Sequence, residues 1–246
     1  MLKLEARPEA SRFMSIASPL LALAITVVLG TILFIALGKD PMRGLYVFFI
    51  EPVKSAYALS ELAMKATPLL LIALGLSVCF RSNVWNIGAE GQFIVGAIFA
   101  SGVAMQAGPE TGRWIVVPVL LAGILGGMVW AGIVALLRDR FNASEILVSL
   151  MMVYIADMVL SYLVYGPWKD PAGYNFPQTI TFLKSTQVPR LFDGSRVDLG
   201  LPIALVLVAV FWVLLFRTYA GFQLQVGGLA PAAARYAGFS SRRALW

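Results

Sequence analysis

The chain has 246 residues, of which 59 % are hydrophobic and 13 % charged, and it carries a formal net charge of +6 at pH 7. Soluble domains carry about 25 % charged residues, so this composition excludes an ordinary soluble protein and predicts an all-α, polytopic transmembrane helical bundle. The basic residues are scattered between apolar runs, which indicates charge beside membrane spans and argues against nucleic-acid binding.

Membrane spans are predicted from apolar runs of about 20 residues, the length that crosses a hydrocarbon core of about 30 Å. The first run follows Lys3, Arg7 and Arg12, a pattern that resembles a signal peptide. The run is too long for such a peptide and no small-residue cleavage site follows it, so we predict an uncleaved first span. Four runs approach or exceed the required length, at 18–38, 114–137, 144–165 and 199–216.

Two further apolar runs, Pro68–Phe80 and Phe93–Met105, have 13 residues each and reach only about 20 Å as helices. The stretch before the first of them carries Glu61 and Lys65. Short segments interrupted by proline or glycine are typical of discontinuous helices around a transport site. The alternative is a pair of ordinary spans with amphipathic flanks. The chain is thus predicted to have about six spans, with short or discontinuous second and third segments.

Six spans place both termini on one side of the membrane. Basic residues close to span ends favour the cytoplasmic side. Near the span ends on the side of the termini, the sequence has Arg12, Arg81, Arg138, Arg140 and Arg217. We therefore predict cytoplasmic termini.

Small residues recur at four-residue spacing in three segments, which lets helices approach closely in lipid. This pattern predicts a tightly packed multi-helix bundle rather than a lone anchor. The three stripes are Ser18, Ala22, Thr26 and Gly30; Gly96, Ala100, Ala104 and Gly108; and Gly123, Gly127, Ala131 and Ala135.

Asp157 is an acid deep inside a strong apolar run. Inserting a carboxylate there costs about 2.5–3.5 kcal/mol, so its side chain is expected to face protein or water. Tyr154, Ser161 and Tyr165 share its helical face. Two interpretations remain open: a face that lines a solute pathway, or a structural hydrogen bond to a neighbouring helix.

Residues 81–92, which we call the amide loop, join the two short apolar runs and read RSNVWNIGAEGQ. Asparagine and glutamine offer both donors and acceptors, which suits hydroxylated neutral ligands or an unwound backbone. A plain solvated turn is the alternative. The candidate pathway residues of this loop are Asn83, Asn86, Glu90 and Gln92.

The sequence lacks several residue types and motifs that catalysis, metal binding and ATP binding require. The sequence contains no histidine, which excludes His-based zinc sites, Ser-His-Asp triads and histidine proton shuttles. It also has no G-x-x-x-x-G-K-S/T motif for binding ATP and no ladder of intramembrane acids for ion coupling. We therefore expect no covalent chemistry, no metal and no cofactor, and any energy for active transport to come from another subunit.

The C-terminal stretch suggests a short helix. Pro231 precedes Ala232–Ala234, Arg235 and Tyr236, and Gly238 follows. Proline near the first turn and glycine after the last are typical helix boundaries. Such a helix suits docking to a partner or serves as a surface connector.

Three motifs carry a resemblance to a known family. Residues 83–92 (NVWNIGAEGQ) resemble the N-x-x-N-I-G-x-E-G-Q signature of bacterial ABC-importer permeases for nucleosides and simple sugars, which are related to ribose and branched-chain amino-acid permeases. The second motif comprises residues 144–146, 154–156 and 166–171 (GPWKDP), and the third is residues 228–238 (GLAPAAARYAG). The chain departs from the family pattern at Ser144, Val153 and Ala230, where asparagine is usual.

The resemblance implies a permease subunit of an ATP-driven importer for nucleosides or simple sugars in the bacterial inner membrane. The implied partners are ABC ATPase subunits that bind ATP, a second permease copy or paralogue, an extracytoplasmic substrate-binding protein and membrane lipid, without nucleic acid or enzymatic activity. The alternative function is an ATP-independent secondary transporter or channel for a small polar solute.

The resemblance also implies a single transmembrane permease domain over residues 1–246, in which residues 217–246 form a cytoplasmic coupling segment. Family permeases continue with further spans after this segment, so we expect the chain to be C-terminally incomplete. The residues implied in coupling to the ATPase are Gly228, Pro231, Ala233, Ala234, Arg235, Tyr236 and Gly238.

Overall fold

The structure is a computed structural model that describes residues 11–192, 194–240, 242, 245 and 246. Lys3 and Arg7, together with the side chain of Arg12, lie outside the described part, so the basic pattern before the first span has no structural account. Two compact units are present, one ending at Ala63 and one beginning at Met64.

The described residues fold into nine α-helices and three short 3-10 helices, without a β-strand. This confirms the predicted all-α class. The 3-10 helices are Glu51–Val53, Arg113–Ile115 and Lys184–Thr186. The α-helices are α1 (Arg12–Ala36), α2 (Pro41–Phe49), α3 (Ala56–Arg81), α4 (Ala89–Ala104), α5 (Val116–Phe141), α6 (Glu145–Tyr165), α7 (Gly200–Arg217), α8 (Tyr219–Leu229) and α9 (Pro231–Tyr236).

Five helices in the described part, α1, α3, α5, α6 and α7, are long and apolar enough to cross a membrane. The sixth apolar helix, α4, has 16 residues and reaches about 24 Å, so the predicted short third segment is confirmed. The chain is therefore a multi-pass membrane protein of about six apolar helices.

The structure of the second apolar segment decides between the discontinuous helix and the ordinary span that the sequence left open. Helix α3 is continuous over 26 residues and contains Pro68 within it, so the discontinuous alternative is wrong for this segment. Membrane helices tolerate proline because neighbouring groups can satisfy the carbonyl that it leaves unpaired. The charged residues Glu61 and Lys65 occupy the first half of the same helix and do not end it.

The small-residue stripes of α4 and α5 form a close helix contact. An added Cβ at Gly96 would stand 2.9 Å from the carbonyl oxygen of Gly123, and one at Gly123 would stand 3.5 Å from the Cβ of Ala100. The predicted tight packing is thus confirmed for these two stripes. The stripe of α1 differs, because an added Cβ at Gly30 would meet nothing within 4 Å. This stripe therefore makes no close helix contact at Gly30 in the described structure.

Helices α7 and α8 are joined by a single extended residue, Thr218. Its hydroxyl donates to the carbonyl oxygen of Leu214 at 2.6 Å and accepts from the amide of Gly221 at 3.2 Å. The side chain therefore caps α8 while it holds the end of α7. This sharp turn directs the C-terminal helices back toward the bundle.

Two polar contacts place the C-terminal helices at one end of the second unit. Arg81, the last residue of α3, bonds to Gln225 of α8, and Asp139, near the end of α5, pairs with Arg242. The end of α3, the end of α5 and helices α8 and α9 therefore lie together. The predicted side of the membrane for these segments stays a prediction.

Candidate functional site

The amide loop is shorter in the structure than in the sequence interpretation. Helix α3 ends at Arg81 and α4 begins at Ala89, so residues 89–92 form the first helical turn rather than loop. The chain reverses through Asn83, which has a φ of 55°, and Gly88, which is buried. A Cβ at Gly88 would stand 2.9 Å from the Cβ of Ser149 on α6.

Two of the predicted pathway residues, Asn86 and Gln92, are brought together. Each side-chain amide donates to the carbonyl oxygen of the other at 3.2 Å. The Asn86 oxygen also accepts from the backbone amide of Gly88 at 3.0 Å. This reciprocal pair fixes the turn to α4, so its first role is to hold the backbone.

The same amide pair lines one end of an open groove of about 510 Å³ between α3, α4 and α5. The rest of the groove is mainly apolar, and its other lining residues include Leu71, Gly75, Cys79, Phe93 and Met128.

The other two predicted loop residues, Asn83 and Glu90, are exposed. The Asn83 oxygen accepts a hydrogen bond from the indole of Trp85 at 3.1 Å. Glu90 lies in the first turn of α4, where a carboxylate is stabilised by the positive end of the helix dipole. These two side chains therefore lie at the exposed surface of the loop and take no part in the Asn86–Gln92 pair.

Ser149 ties the loop to α6, and the sequence analysis does not single it out. Its side chain is completely buried, and its hydroxyl accepts from the backbone amide of Ile87 at 3.2 Å while it donates to the carbonyl of Ile146. The available signal is a lone serine among apolar residues, eight positions before Asp157 on the same helix.

The face of α6 around Asp157 is exposed in this chain. Tyr154 and Tyr165 are 64 % and 66 % exposed, and Asp157 and Ser161 are exposed as well. Among the described residues, no hydrogen bond joins Asp157 to a neighbouring helix, so the structural alternative offered from sequence has no support within the chain. A carboxylate at this depth needs water or a protein partner beside it.

The predicted short C-terminal helix is confirmed as α9. Pro231 occupies its first turn, and Gly238 follows it with a φ of 77°. The amide of Gly238 bonds to the carbonyl of Arg235 at 3.0 Å, and that of Phe239 bonds to the carbonyl of Ala234 at 2.8 Å. Glycine allows this left-handed termination without steric cost.

Helix α9 has one inward and one outward side. Ala234 is 4 % exposed, whereas Tyr236 is 96 % exposed, and Pro231, Ala233 and Arg235 are exposed too. Ala234 therefore packs within this chain, and its predicted part in coupling to the ATPase stays a prediction. The outward side presents a guanidinium and a phenol ring.

An aromatic cluster returns the chain after α9 to the start of α8. The ring of Phe239 lies 6.0 Å from that of Tyr219 and 6.3 Å from that of Phe222, both edge-on. Such contacts contribute about 0.5–1.5 kcal/mol beyond burial of their area. Helices α8 and α9 are thereby held as a compact pair.

The sequence analysis also misses the contacts that attach α8 to α3. Arg81 donates from Nη2 to Oε1 of Gln225 at 2.7 Å, and its guanidinium lies 4.5 Å from the ring centroid of Phe216. Gly228, predicted for coupling, packs here: an added Cβ would stand 2.3 Å from the carbonyl oxygen of Arg81.

Comparison with known proteins identifies the family. Residues 58–246 match the family described as "Branched-chain amino acid transport system / permease component". The chain belongs to this permease family. The match includes the amide loop, the Asp157 face and helices α8 and α9. No solved structure matches the chain.

Three curated relatives extend the comparison. A glucose ABC transporter permease protein of Haloferax volcanii is 32 % identical and covers 97 % of this chain. A nucleoside ABC transporter permease protein of Lactococcus lactis and a guanosine ABC transporter permease protein of Bacillus subtilis are 28 % and 27 % identical, each over 92 % of the chain. The chain spans 65 %, 64 % and 65 % of the lengths of these three relatives, respectively.

Proposed function

We propose that this chain is the membrane-spanning permease subunit of an ATP-driven importer for nucleosides or simple sugars in the bacterial inner membrane, with cytoplasmic termini. The observation that carries the proposal is the family match over residues 58–246. Support for the solute class comes from relatives named as glucose, nucleoside and guanosine permeases. The single permease domain is proposed to contain the coupling segment 217–246.

The solute path is proposed to run along the α6 face formed by Tyr154, Asp157 and Ser161. This face is exposed and polar in an otherwise apolar helix, and lipid is a costly neighbour for a carboxylate. A water-filled path shared with a second permease copy or paralogue removes that cost. Hydroxyl groups on the two ligand classes match tyrosine, serine and carboxylate partners through hydrogen bonds.

The amide loop is proposed to border the same path at the end of the bundle where α8 and α9 lie. Asn83 and Glu90 are exposed there, whereas Asn86 and Gln92 support the turn and line the groove beside α3. In this arrangement the exposed pair meets solute late in its passage.

Helix α9 is proposed to be the site at which an ATPase subunit binds and moves the permease. Its exposed Arg235 and Tyr236 suit a carboxylate-bearing groove on an ATPase subunit, because a guanidinium pairs bidentately with a carboxylate. ATP is bound by that separate subunit, and the permease carries out no covalent chemistry. An extracytoplasmic binding protein delivers solute at the opposite end.

The proposal is tested in proteoliposomes that contain the permease with its ATPase subunits and its binding protein. Uptake of labelled nucleoside or sugar is expected to require ATP and the ATPase subunit, and to continue when an uncoupler collapses ion gradients. Uptake that proceeds without the ATPase subunit would instead support a secondary transporter or channel. Unlabelled competitors from the two solute classes then rank the substrates.

A further inference from the structure

The end of α3 meets α8 through an arginine contact that differs from the two arginine ion pairs at this end of the second unit. Arg138 pairs with Glu145 at 2.8 Å, and Arg242 pairs with Asp139 at 2.7 Å. Arg81 instead bonds to the neutral amide of Gln225 and stacks over Phe216. Its cation is thus held by a neutral acceptor and a ring.

Burial makes this arrangement unusual. The Nε atom of Arg81 is buried and has no hydrogen-bond partner within the described residues. A buried donor without a partner is costly, so the attachment of Arg81 rests on its Nη2 bond to Gln225 of α8 and its contact with Phe216 of α7.

The backbone beside Arg81 is equally close to α8. An added Cβ at Gly228 would stand 2.3 Å from the carbonyl oxygen of Arg81 and 3.1 Å from the backbone nitrogen of Asn83. Movement of α8 toward α3 therefore presses directly on the backbone that opens the amide loop. The guanidinium bond to Gln225 resists movement in the opposite direction.

The far side of the loop is fixed to α6. The amide of Ile87 bonds to the buried hydroxyl of Ser149, and Gly88 packs on the same serine. Ser149 lies eight residues before Asp157 on one continuous helix, a separation of about 12 Å. Residues 82–88 are therefore held at both ends, by α8 and by α6.

We propose that Arg81, with Gly228, forms a joint that transmits displacement of α8 through residues 82–88 to α6, so that Arg81 is a positioning residue for the transport step. The role rests on the proposed function, since displacement of α8 and α9 would come from the ATPase subunit. The joint depends on two contacts. The Arg81–Gln225 hydrogen bond transmits movement of α8 away from α3, and the backbone contact at Gly228 transmits movement of α8 toward α3.

The test compares Arg81→Gln with a matched arginine in the assembled complex. Arg140→Gln is the control, because Arg140 is exposed near the end of α5 and lies outside the coupling segment 217–246. We expect Arg81→Gln to lower the solute transported per ATP hydrolysed at least about fivefold, the lower end of usual coupling between sites. Arg81→Lys should be intermediate, and Arg140→Gln should match the wild type.

A second readout does not depend on transport. A nitroxide on Leu229→Cys, in a chain that also carries Cys79→Ser, reports the mobility of the exposed end of α8 by electron paramagnetic resonance. Arg81→Gln should raise that mobility in the purified permease, whether or not the wild-type complex transports solute. An absence of ATP-driven uptake by the wild-type complex would refute the proposed function but not the contact between α3 and α8. If Arg81→Gln does not assemble, Gln225→Ala removes the same bond at an exposed site.

Two outcomes would overturn the joint. Unchanged solute per ATP in assembled Arg81→Gln, with or without greater label mobility, would reduce Arg81 to a structural residue. An equal loss in Arg140→Gln would assign the effect to basic charge at this end of the bundle.

Discussion

Charge reversal at Arg235 separates the stability of the permease from its coupling to a partner. Arg235 is exposed on α9, and its side chain has no ion pair within the described residues. Arg235→Glu should therefore change the free energy of unfolding of the permease by no more than about 0.5 kcal/mol. If Arg235 pairs with a buried carboxylate of the ATPase subunit, the same change should cost about 2–5 kcal/mol, or thirtyfold and more in affinity.

The assay measures binding-protein-stimulated ATP hydrolysis in membrane nanodiscs while the ATPase subunit is titrated. The concentration needed for half-maximal stimulation should rise at least about thirtyfold for Arg235→Glu, while the thermal unfolding of the permease alone stays unchanged. Arg140→Glu, at an equally exposed arginine near the end of α5, should behave as the wild type. Unchanged stimulation and uptake with Arg235→Glu would make α9 a surface connector and refute coupling through this residue.

Three further predictions follow from the remaining sites. Asp157→Asn keeps an acceptor but removes the charge, so an ionised pathway group predicts lost uptake with normal assembly, and full uptake would end that role. Asn86→Ala should lower both uptake and thermal stability because it breaks the bonds to Gln92 and to the turn. Glu90→Ala should lower uptake and reduce stability by no more than the helix-dipole contribution of about 0.3–1 kcal/mol, so a larger loss of stability in Glu90→Ala than in Asn86→Ala would contradict this. Gly96→Ala should destabilise the permease by about 1–3 kcal/mol in thermal unfolding, and Gly132→Ala, whose added Cβ meets nothing within 4 Å, should not.

The elements that could be predicted from sequence depend on local physics. Apolar length identifies the spans, because lipid imposes that length on each helix separately. Pro231 and Gly238 locate α9, because each residue restricts or permits a backbone conformation at its own position. The positive φ of Gly238 follows from the same local chemistry.

The features that could not be predicted depend on tertiary contacts. Proline within an apolar run suggested a break at Pro68, but α3 continues through it as one helix. Arg81 and Gln225 are 144 positions apart, and no local pattern links them. Ser149 is singled out only by its burial, which sequence periodicity does not distinguish from that of an apolar neighbour.

The asymmetry of these contacts indicates where the second unit can move. Helices α4 and α5 approach with the backbones of Gly96 and Gly123 almost touching, so sliding them apart sacrifices close packing along both helices. Helix α8 meets α3 through the backbone at Gly228 and through the Arg81–Gln225 bond, whereas the chain after α9 meets α5 through an ion pair in which Arg242 is 64 % exposed. Exposed pairs contribute about 0–1 kcal/mol. Separating the Arg242–Asp139 pair therefore costs less than sliding α4 along α5, and a displacement of α8 acts directly on the backbone at Arg81 because Gly228 packs against it.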